Sequence, residues 1–427
     1  MTTFLVMIMP LMLFLGFPFM VILLGGVLLG VILFLPGFDL TMLVQQTLTG
    51  MKPFALVCIP MFILAANLAT SGQAARRLIR LIRAYIGHIP GGLPITTTAA
   101  CTMFGAVSGS TQATVAAIGG TMRPMLMEAG YSSSFTLGLI INSSDIAILI
   151  PPSIGFIVYG VATSTSVGKL YLSGIGPGLL IFALFSIYCF SNSKIKKIGI
   201  VSKAPWKERL KATKEGFWLF GFPLIIVGGI YTGIFSPTEA AAASVAYALF
   251  LELLIYRSLT IKKIVDALLS TGIITSVVFI LIGGGQVLSW ILSYLLVPQQ
   301  VVPLLMGADP SPLKVIIIIN IIYFIACMFV DPVVAIYVLS PIFHPYVIRA
   351  GVDPVFMGAL VTLQVAIGSA TPPFGCDIFT AQLIFRRPYI EVIRKIAPFI
   401  AILVLVNILM IIFPEIATFL PDISLGR

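Results

Sequence analysis

Four short polar segments interrupt otherwise apolar stretches of this chain, and their oxygen-rich composition could hold a hard cation beside a small anion. The first contains Ser108, Gly109, Ser110, Thr111 and Thr114. The second runs Asn142-Ser143-Ser144-Asp145 and continues to Pro151-Pro152-Ser153. The third is Asp331-Pro332, and the fourth is Gly368-Ser369-Ala370-Thr371-Pro372-Pro373, followed by Asp377. A proline removes a backbone N–H and clashes with the carbonyl one turn earlier, so each Pro-Pro pair frees carbonyl oxygens. Those carbonyls, with Ser, Thr, Asn and Asp oxygens, form a cage suited to Na⁺, and helix N-termini facing them favour an anionic group. Thr111, Asp145, Pro151, Pro152, Pro372 and Pro373 are the candidates for the substrate side of such a site. Competing readings stay open at each place. Ser and Thr in a membrane helix often bond back to their own helix, Asp145 can instead pair with Arg123, and proline kinks can serve gating or packing alone.

Other chemistry has little support. The five cysteines are scattered without a Cys-x-x-Cys, and His88 and His344 have no partners at ligand spacing. No disulfide framework, transition-metal site or organic cofactor is expected, and no nucleophile–base pair points to an enzyme. Intramembrane carboxylates such as Asp145 and Asp331 are costly and therefore presumptively functional.

The elements that must position these residues are membrane helices. The chain has 427 residues, of which 59% are hydrophobic and 9% charged, with a mean hydropathy of +1.12. Soluble domains carry about a quarter charged residues, so a soluble enzyme, a nucleic-acid binder and a disordered chain are excluded. Apolar runs lie near 4–16, 19–35, 53–70, 93–122, 135–165, 171–191, 217–235, 240–256, 270–297, 313–343, 355–385 and 396–420. The net charge of +10 is concentrated in short loops: Arg76 to Arg83, Lys194 to Lys214, Arg257 to Lys263, and Arg386 to Lys395. The positive-inside rule makes these loops cytoplasmic.

That assignment creates a parity conflict, because three apolar runs separate Arg83 from Lys194. It resolves if 93–122 enters and returns on one side as a re-entrant hairpin turning at the first polar segment. The same reasoning makes 313–343 a second hairpin, broken at Asp331-Pro332 and entering from the opposite side. Sliding the sequence by 221 residues aligns Pro124 with Pro345, Ala129-Gly130 with Ala350-Gly351, Phe135 with Phe356, and Pro151-Pro152 with Pro372-Pro373. Leu139 and Ile146 also match, giving eight identities in 32 positions. The expected fold is therefore an all-α polytopic membrane protein of two inverted-topology repeats, each with a hairpin and a Pro-Pro-broken helix, the architecture of secondary transporters. Both termini would lie outside, although 4–16 is short for a span.

The expected organisation is scaffold helices in 1–70, an arm helix in 71–90, a first transport half in 91–192 and a cytoplasmic basic loop in 193–216. Scaffold helices follow in 217–297, a linker in 298–312 and a second transport half in 313–427. Within the arm, Arg76, Arg80 and Arg83 share one face and Leu78, Ile79, Ile82 and Ile86 are apolar, with Arg77 alongside. This predicts an amphipathic helix at the cytoplasmic interface, acting as a mechanical connection between bundles.

Four stretches carry a resemblance: Gly105-Ala-Val-Ser-Gly-Ser-Thr-Gln-Ala-Thr114, Ser144-Asp-Ile-Ala-Ile-Leu-Ile-Pro-Pro-Ser153, Tyr231-Thr-Gly-Ile-Phe-Ser-Pro-Thr-Glu-Ala240 and Phe329-Val-Asp-Pro332. In this order, across essentially the whole chain, they resemble the large membrane (M) subunit of tripartite ATP-independent periplasmic (TRAP) transporters. Ser236 stands where Thr is commoner. The resemblance implies a Na⁺-coupled, elevator-type importer of organic acid anions in the bacterial inner membrane, with a fixed scaffold and a mobile transport domain. It implies two partners, a small four-helix membrane (Q) subunit and a periplasmic substrate-binding (P) protein. By position, one Na⁺ site would use Ser108, Ser110, Asn142 and Ser143, and a second Asp331, Ser369 and Thr371. Glu239 would belong to scaffold or docking contacts. Overall similarity leans to the sialic-acid branch over C4-dicarboxylates, a lean that no single residue carries. A stand-alone ion-coupled carrier and a passive channel are the alternatives.

Overall fold

A computed structural model describes residues 1–199, 202–307 and 310–425. The remaining positions, within the expected basic loop, the linker and the chain end, lie outside the described residues. Every element among the described residues is helical, as hydrocarbon requires of a chain that must satisfy its own backbone.

Among the described residues, six helices are long and apolar enough to cross a bilayer: Phe54–Ser71, Val167–Lys196, Pro237–Ile255, Ile261–Tyr294, Pro312–Phe329 and Pro332–Arg349. A seventh candidate is the pair Ala397–Ile412 and Glu415–Ser424, bent by 58°. The other apolar runs are divided where the polar segments fall. Run 93–122 becomes Gly92–Ser108 and Thr111–Glu128, which pack on each other as a helical hairpin. Run 135–165 becomes Ser133–Ser144, a 3-10 turn at Asp145–Ile148, and Ile154–Thr163. Run 313–343 becomes the packed pair Pro312–Phe329 and Pro332–Arg349, and run 355–385 becomes Pro354–Ser369 and Cys376–Phe385. Near the N-terminus, Thr2–Phe14 packs beside Phe19–Phe34, with Phe4 and Phe34 ring centroids 5.3 Å apart. Thirteen residues reach only about 20 Å, short of a hydrocarbon core of roughly 30 Å.

Burial separates two layers. Gly92–Ser108, Ser133–Ser144 and Pro354–Ser369 are buried along almost their whole length. Ile261–Tyr294 has only 11% of its most apolar window buried, so it forms an outer wall. It packs on Phe54–Ser71, which also packs on Pro237–Phe250. Asn67 Nδ2 donates to Thr271 Oγ1 at 2.9 Å across the first of these contacts.

Three expectations change in detail. The basic stretch 193–216 is not simply a loop, because Trp206–Gly216 is helical. Glu208 in its first turn and Lys214 in its last suit the helix macrodipole. Thr41–Met51 is a helix outside every apolar run, since its Gln and Thr residues dilute the hydropathy. Residues Val297–Met306 of the expected linker form a further helix.

The arm helix is Ala74–Ile86, with Leu78 and Ile79 buried and Arg76, Arg80 and Arg83 outward. Its N-terminus is anchored by Glu252, a fully buried carboxylate of the helix Pro237–Ile255. Glu252 accepts the backbone N–H of Gln73 at 3.1 Å and that of Ala74 at 2.9 Å, and the hydroxyl of Ser258. A side chain at Gly72 would land on this carboxylate. Arg77 lies 4.1 Å from the Tyr256 ring centroid, adding a cation–π contact. Replacing Glu252 by Ala strips the first turn of its acceptor and is expected to cost about 2–3 kcal/mol. A thermal melt of the detergent-purified protein should fall by several degrees; an unchanged melt would show that the anchor carries no weight.

Candidate functional site

The first hairpin turns at Gly109, whose φ of +60° is the left-handed region that glycine enters without strain. A Cβ there would strike the Pro152 carbonyl, so the tip is pressed against the first Pro-Pro break. Gly109 O accepts the N–H of Ile154 at 3.3 Å, satisfying a donor at the start of the helix beyond the break. Ser110 caps Thr111–Glu128, and Ser153 caps Ile154–Thr163. The second hairpin is built similarly. Asp331 caps Pro332–Arg349, with Oδ1 accepting from Val333 N at 2.9 Å. Met328 O accepts the N–H of Gly375 at 3.0 Å, and Gly375 stands 221 positions after Ile154. Both Pro-Pro bonds are cis.

Polar partners sort the predicted residues. Ser108 Oγ lies 3.1 Å from Thr114 Oγ1, and Thr114 Oγ1 donates to Ser110 O at 2.8 Å, so these tip hydroxyls bond locally. Ser143 Oγ meets Thr98 Oγ1 at 3.0 Å. Thr371 Oγ1 donates to Ile367 O, one turn back in its own chain. Asn142 Nδ2 donates to Gly138 O at 2.8 Å, but its Oδ1 is buried without a partner. Both oxygens of the fully buried Asp145 are likewise without a donor. Arg123 does not supply one: it donates to Ser133 Oγ at 3.1 Å and lies over the Phe385 ring.

Asp145 has a second acid, Asp377, as its neighbour. The sequence gives Asp377 no role, yet it joins the two halves. Thr111 Oγ1, on the first hairpin, donates to its Oδ1 at 2.7 Å, and Ser369 Oγ, on the second partner helix, donates to its Oδ2 at 2.7 Å. Three unpartnered acceptor oxygens on Asn142 and Asp145, close to a second carboxylate, are an environment that calls for a positive charge. Asp377 is fully buried, so it is costly in this setting. That cost, in an apolar run directly after a Pro-Pro pair, was the available sequence signal.

A cavity of about 640 Å³ lies against both hairpin tips. Ser108, Ser110, Thr111 and Asp331 line it, as do Gly155 beyond the first break and Cys376 beyond the second. Its opposite wall includes Asn67 and Thr70 of Phe54–Ser71 and Ser270 to Leu281 of Ile261–Tyr294. Sequence reading missed Asn67 and Thr70, single polar residues that only packing brings to this wall, and Gln112 beside Thr111 at the first tip. The N-termini of both second hairpin helices, at Thr111 and Pro332, border the cavity, a favourable arrangement for a carboxylate. Asn142, Ser143, Ser369, Thr371 and Asp145 are buried and do not line it. Pro151 borders a separate apolar cavity of about 490 Å³. Pro152 is buried under the first tip, and Pro372 and Pro373 lie towards the surface, with Pro373 O accepting from Tyr389. Glu239 closes a capping box with Ser236, accepting its backbone N–H at 2.8 Å, at the start of the scaffold helix Pro237–Phe250.

Comparisons with known proteins agree with this architecture. The chain is 15% identical to the YdaH transporter of Alcanivorax borkumensis, whose crystal structure has an unusual topology; the match has a TM-score of 0.59 and covers 88% of each chain. At that identity the likeness concerns the fold alone. The chain is 53% identical over 427 residues to the ectoine/5-hydroxyectoine TRAP transporter large permease protein UehC of Ruegeria pomeroyi, covering all of this chain and 99% of that protein. It is also 53% identical over 425 residues to the ectoine TRAP transporter large permease protein TeaC of Halomonas elongata, covering 99% and 100%. The sialic acid TRAP transporter large permease protein SiaM of Vibrio cholerae is 32% identical over 382 residues, 90% of each chain. Residues 6–416 match the family described as the tripartite ATP-independent periplasmic transporter, DctM component. The chain is a multi-pass membrane protein and belongs to this family of TRAP transporter large permeases.

Proposed function

We propose that this permease couples inward Na⁺ movement to import of ectoine or a closely similar zwitterion, delivered by a soluble binding protein and carried with a small membrane subunit. The observation that carries the reading is the cavity with both hairpin tips on one wall and scaffold helices on the other. Such a cavity changes its exposure if the hairpins and their partner helices slide past the scaffold as an elevator. The basic loops are the cytoplasmic side of this arrangement.

The residues fit Na⁺, a cargo ion that needs hard oxygens and no Cys or His. One ion is assigned to the region of the first tip, to Ser108, Ser110, Asn142 and Ser143, with Asp145 adding the charge. The other is held around Asp331, Ser369 and Thr371. Asp377 links the two through Thr111 and Ser369. Filling both ions would neutralise the buried acids and hold the tips against their partner helices. Coupling then follows, because an unfilled site leaves carboxylates uncompensated in a moving apolar domain.

The substrate expectation narrows from organic acid anions in general. Among the described residues, neither Lys nor Arg lines the cavity. A dianion would meet only helix N-termini and Na⁺ there. Ectoine carries one carboxylate and one delocalised amidinium, so the helix N-termini at Thr111 and Pro332 suit the first and Asp331 the second. Both relatives at 53% identity carry ectoine in their names, whereas the sialic-acid relative stands at 32%. The lean to sialic acid is therefore set aside.

Liposomes containing both membrane subunits test this. With ectoine-loaded binding protein and an inward Na⁺ gradient, labelled ectoine should accumulate, and Asp331→Ala should abolish accumulation without loss of insertion. Uptake by the chain alone would favour a stand-alone carrier, and uptake indifferent to Na⁺ would overturn the coupling.

A further inference from the structure

The helix Trp206–Gly216 has no part in the cavity, yet its surface is ordered in a way that packing alone does not require. It runs antiparallel to the arm helix. Arg80 pairs with Glu215 at 3.1 Å, Tyr85 hydrogen-bonds Thr213 at 2.7 Å, and Gly216 abuts Leu81. At about 100° per residue, Arg209, Ala212 and Gly216 form the face turned to the arm, and all three are buried. Beside that face runs an exposed apolar stripe of Trp206, Leu210 and Phe217, at 69%, 65% and 62% exposure. Beyond the stripe lie Lys207, Lys211 and Lys214, all exposed. An apolar stripe flanked by exposed lysines is the pattern of a helix lying at the headgroup level of a bilayer.

Arg209 is the anomaly. Its side chain is only 7% exposed, and its Nε and Nη2 are buried with no hydrogen-bond partner. The Trp206 ring lies 5.2 Å away and the Tyr85 ring 5.7 Å. A buried guanidinium ordinarily meets a carboxylate or carbonyl. Here Glu215, on the same helix, is engaged with Arg80 of the arm. Two free donors in a rigid fork match phosphate oxygens.

We propose that the seam between Trp206–Gly216 and the arm helix binds the phosphate of an anionic phospholipid, with Arg209 as its central ligand. The acyl chains lie along Trp206, Leu210 and Phe217, and the lysine stripe draws the negatively charged leaflet to the same helix. A free phosphate ester would offer the same oxygens but would leave the apolar stripe unused, which is why the lipid is the source chosen. Because the arm helix joins the scaffold to the first hairpin, the lipid would brace that joint against the membrane.

The test is native mass spectrometry of the purified permease with its small subunit, titrated with phosphatidylglycerol, phosphatidylcholine or inorganic phosphate. Phosphatidylglycerol should be retained at least about fivefold better than phosphatidylcholine. Arg209→Ala should remove that preference, and Arg209→Lys, which keeps the charge and loses the fork, should weaken it severalfold. The exposed triple change of Lys207, Lys211 and Lys214 to Gln leaves the packing untouched and should also lower retention. Equal retention of both lipids by the wild type, or a preference unchanged in Arg209→Lys and in the triple variant, would overturn the proposal. Inorganic phosphate displacing phosphatidylglycerol at equal concentration would overturn the lipid assignment.

Discussion

Replacing Asp377 by alanine is expected to lower Na⁺-driven uptake at least about 100-fold while leaving the protein inserted in the membrane. Thr111 and Ser369 would each lose a 2.7 Å hydrogen bond to a carboxylate. Each such charge-assisted bond contributes about 1.5–3 kcal/mol, and every 1.4 kcal/mol is about tenfold in an equilibrium. The two bonds tie the first hairpin to the second partner helix, so their loss uncouples elements that must move together. Asp377→Asn is the sharper variant, because it keeps the shape and removes the charge. Uptake in liposomes should remain very low in Asp377→Asn, with a thermal melt close to wild type. Full uptake in either variant would remove Asp377 from the site.

A second large effect is expected at Gly109. Valine there would have to adopt φ near +60°, a genuine outlier for a β-branched residue, and its Cβ would collide with the Pro152 carbonyl. Backbone in the left-handed region alone costs about 1–2 kcal/mol. The collision must also push the tip off the Pro-Pro break and strip the Ile154 N–H of its 3.3 Å acceptor. Uptake should fall at least about tenfold from the conformational term alone. Substrate capture by the binding protein should be untouched, which separates a damaged permease from a failed delivery. Gly109→Ala should be milder, and equal uptake in wild type and Gly109→Val would mean the tip need not close on the break.

The polar breaks were legible in the sequence because expensive groups stand out in an apolar chain. Ser108 to Ser110, Asp145, Asp331 and both Pro-Pro pairs each violate what a plain membrane helix tolerates, and the structure divides its helices at those places. What the violations are for depends on distance in three dimensions. Asp377 is a lone acid until Thr111, 266 positions earlier, donates to it. Asn67 and Thr70 are ordinary polar residues of a scaffold helix until packing sets them opposite the hairpin tips. The basic stretch hid the helix Trp206–Gly216 because its lysines were sufficient to label a side of the membrane, and nothing local announces that Arg209 will be buried on the arm. The preferred solute was illegible for a different reason: among the described residues, neither Lys nor Arg lines the cavity to mark the charge of its occupant.

The buried oxygens around Asn142, Asp145 and Asp377 are proposed to form part of a Na⁺ site. Thermal stability of the purified permease in NaCl and in KCl at equal ionic strength tests it most directly, since an ion bound only by the folded state raises the melt by mass action. A higher melt in Na⁺ than in K⁺ is expected for the wild type, and a clearly smaller difference for Asp145→Asn, which keeps only the ion at Asp331. Identical melts of the wild type in the two salts, or an undiminished Na⁺ effect in Asp145→Asn, would contradict it.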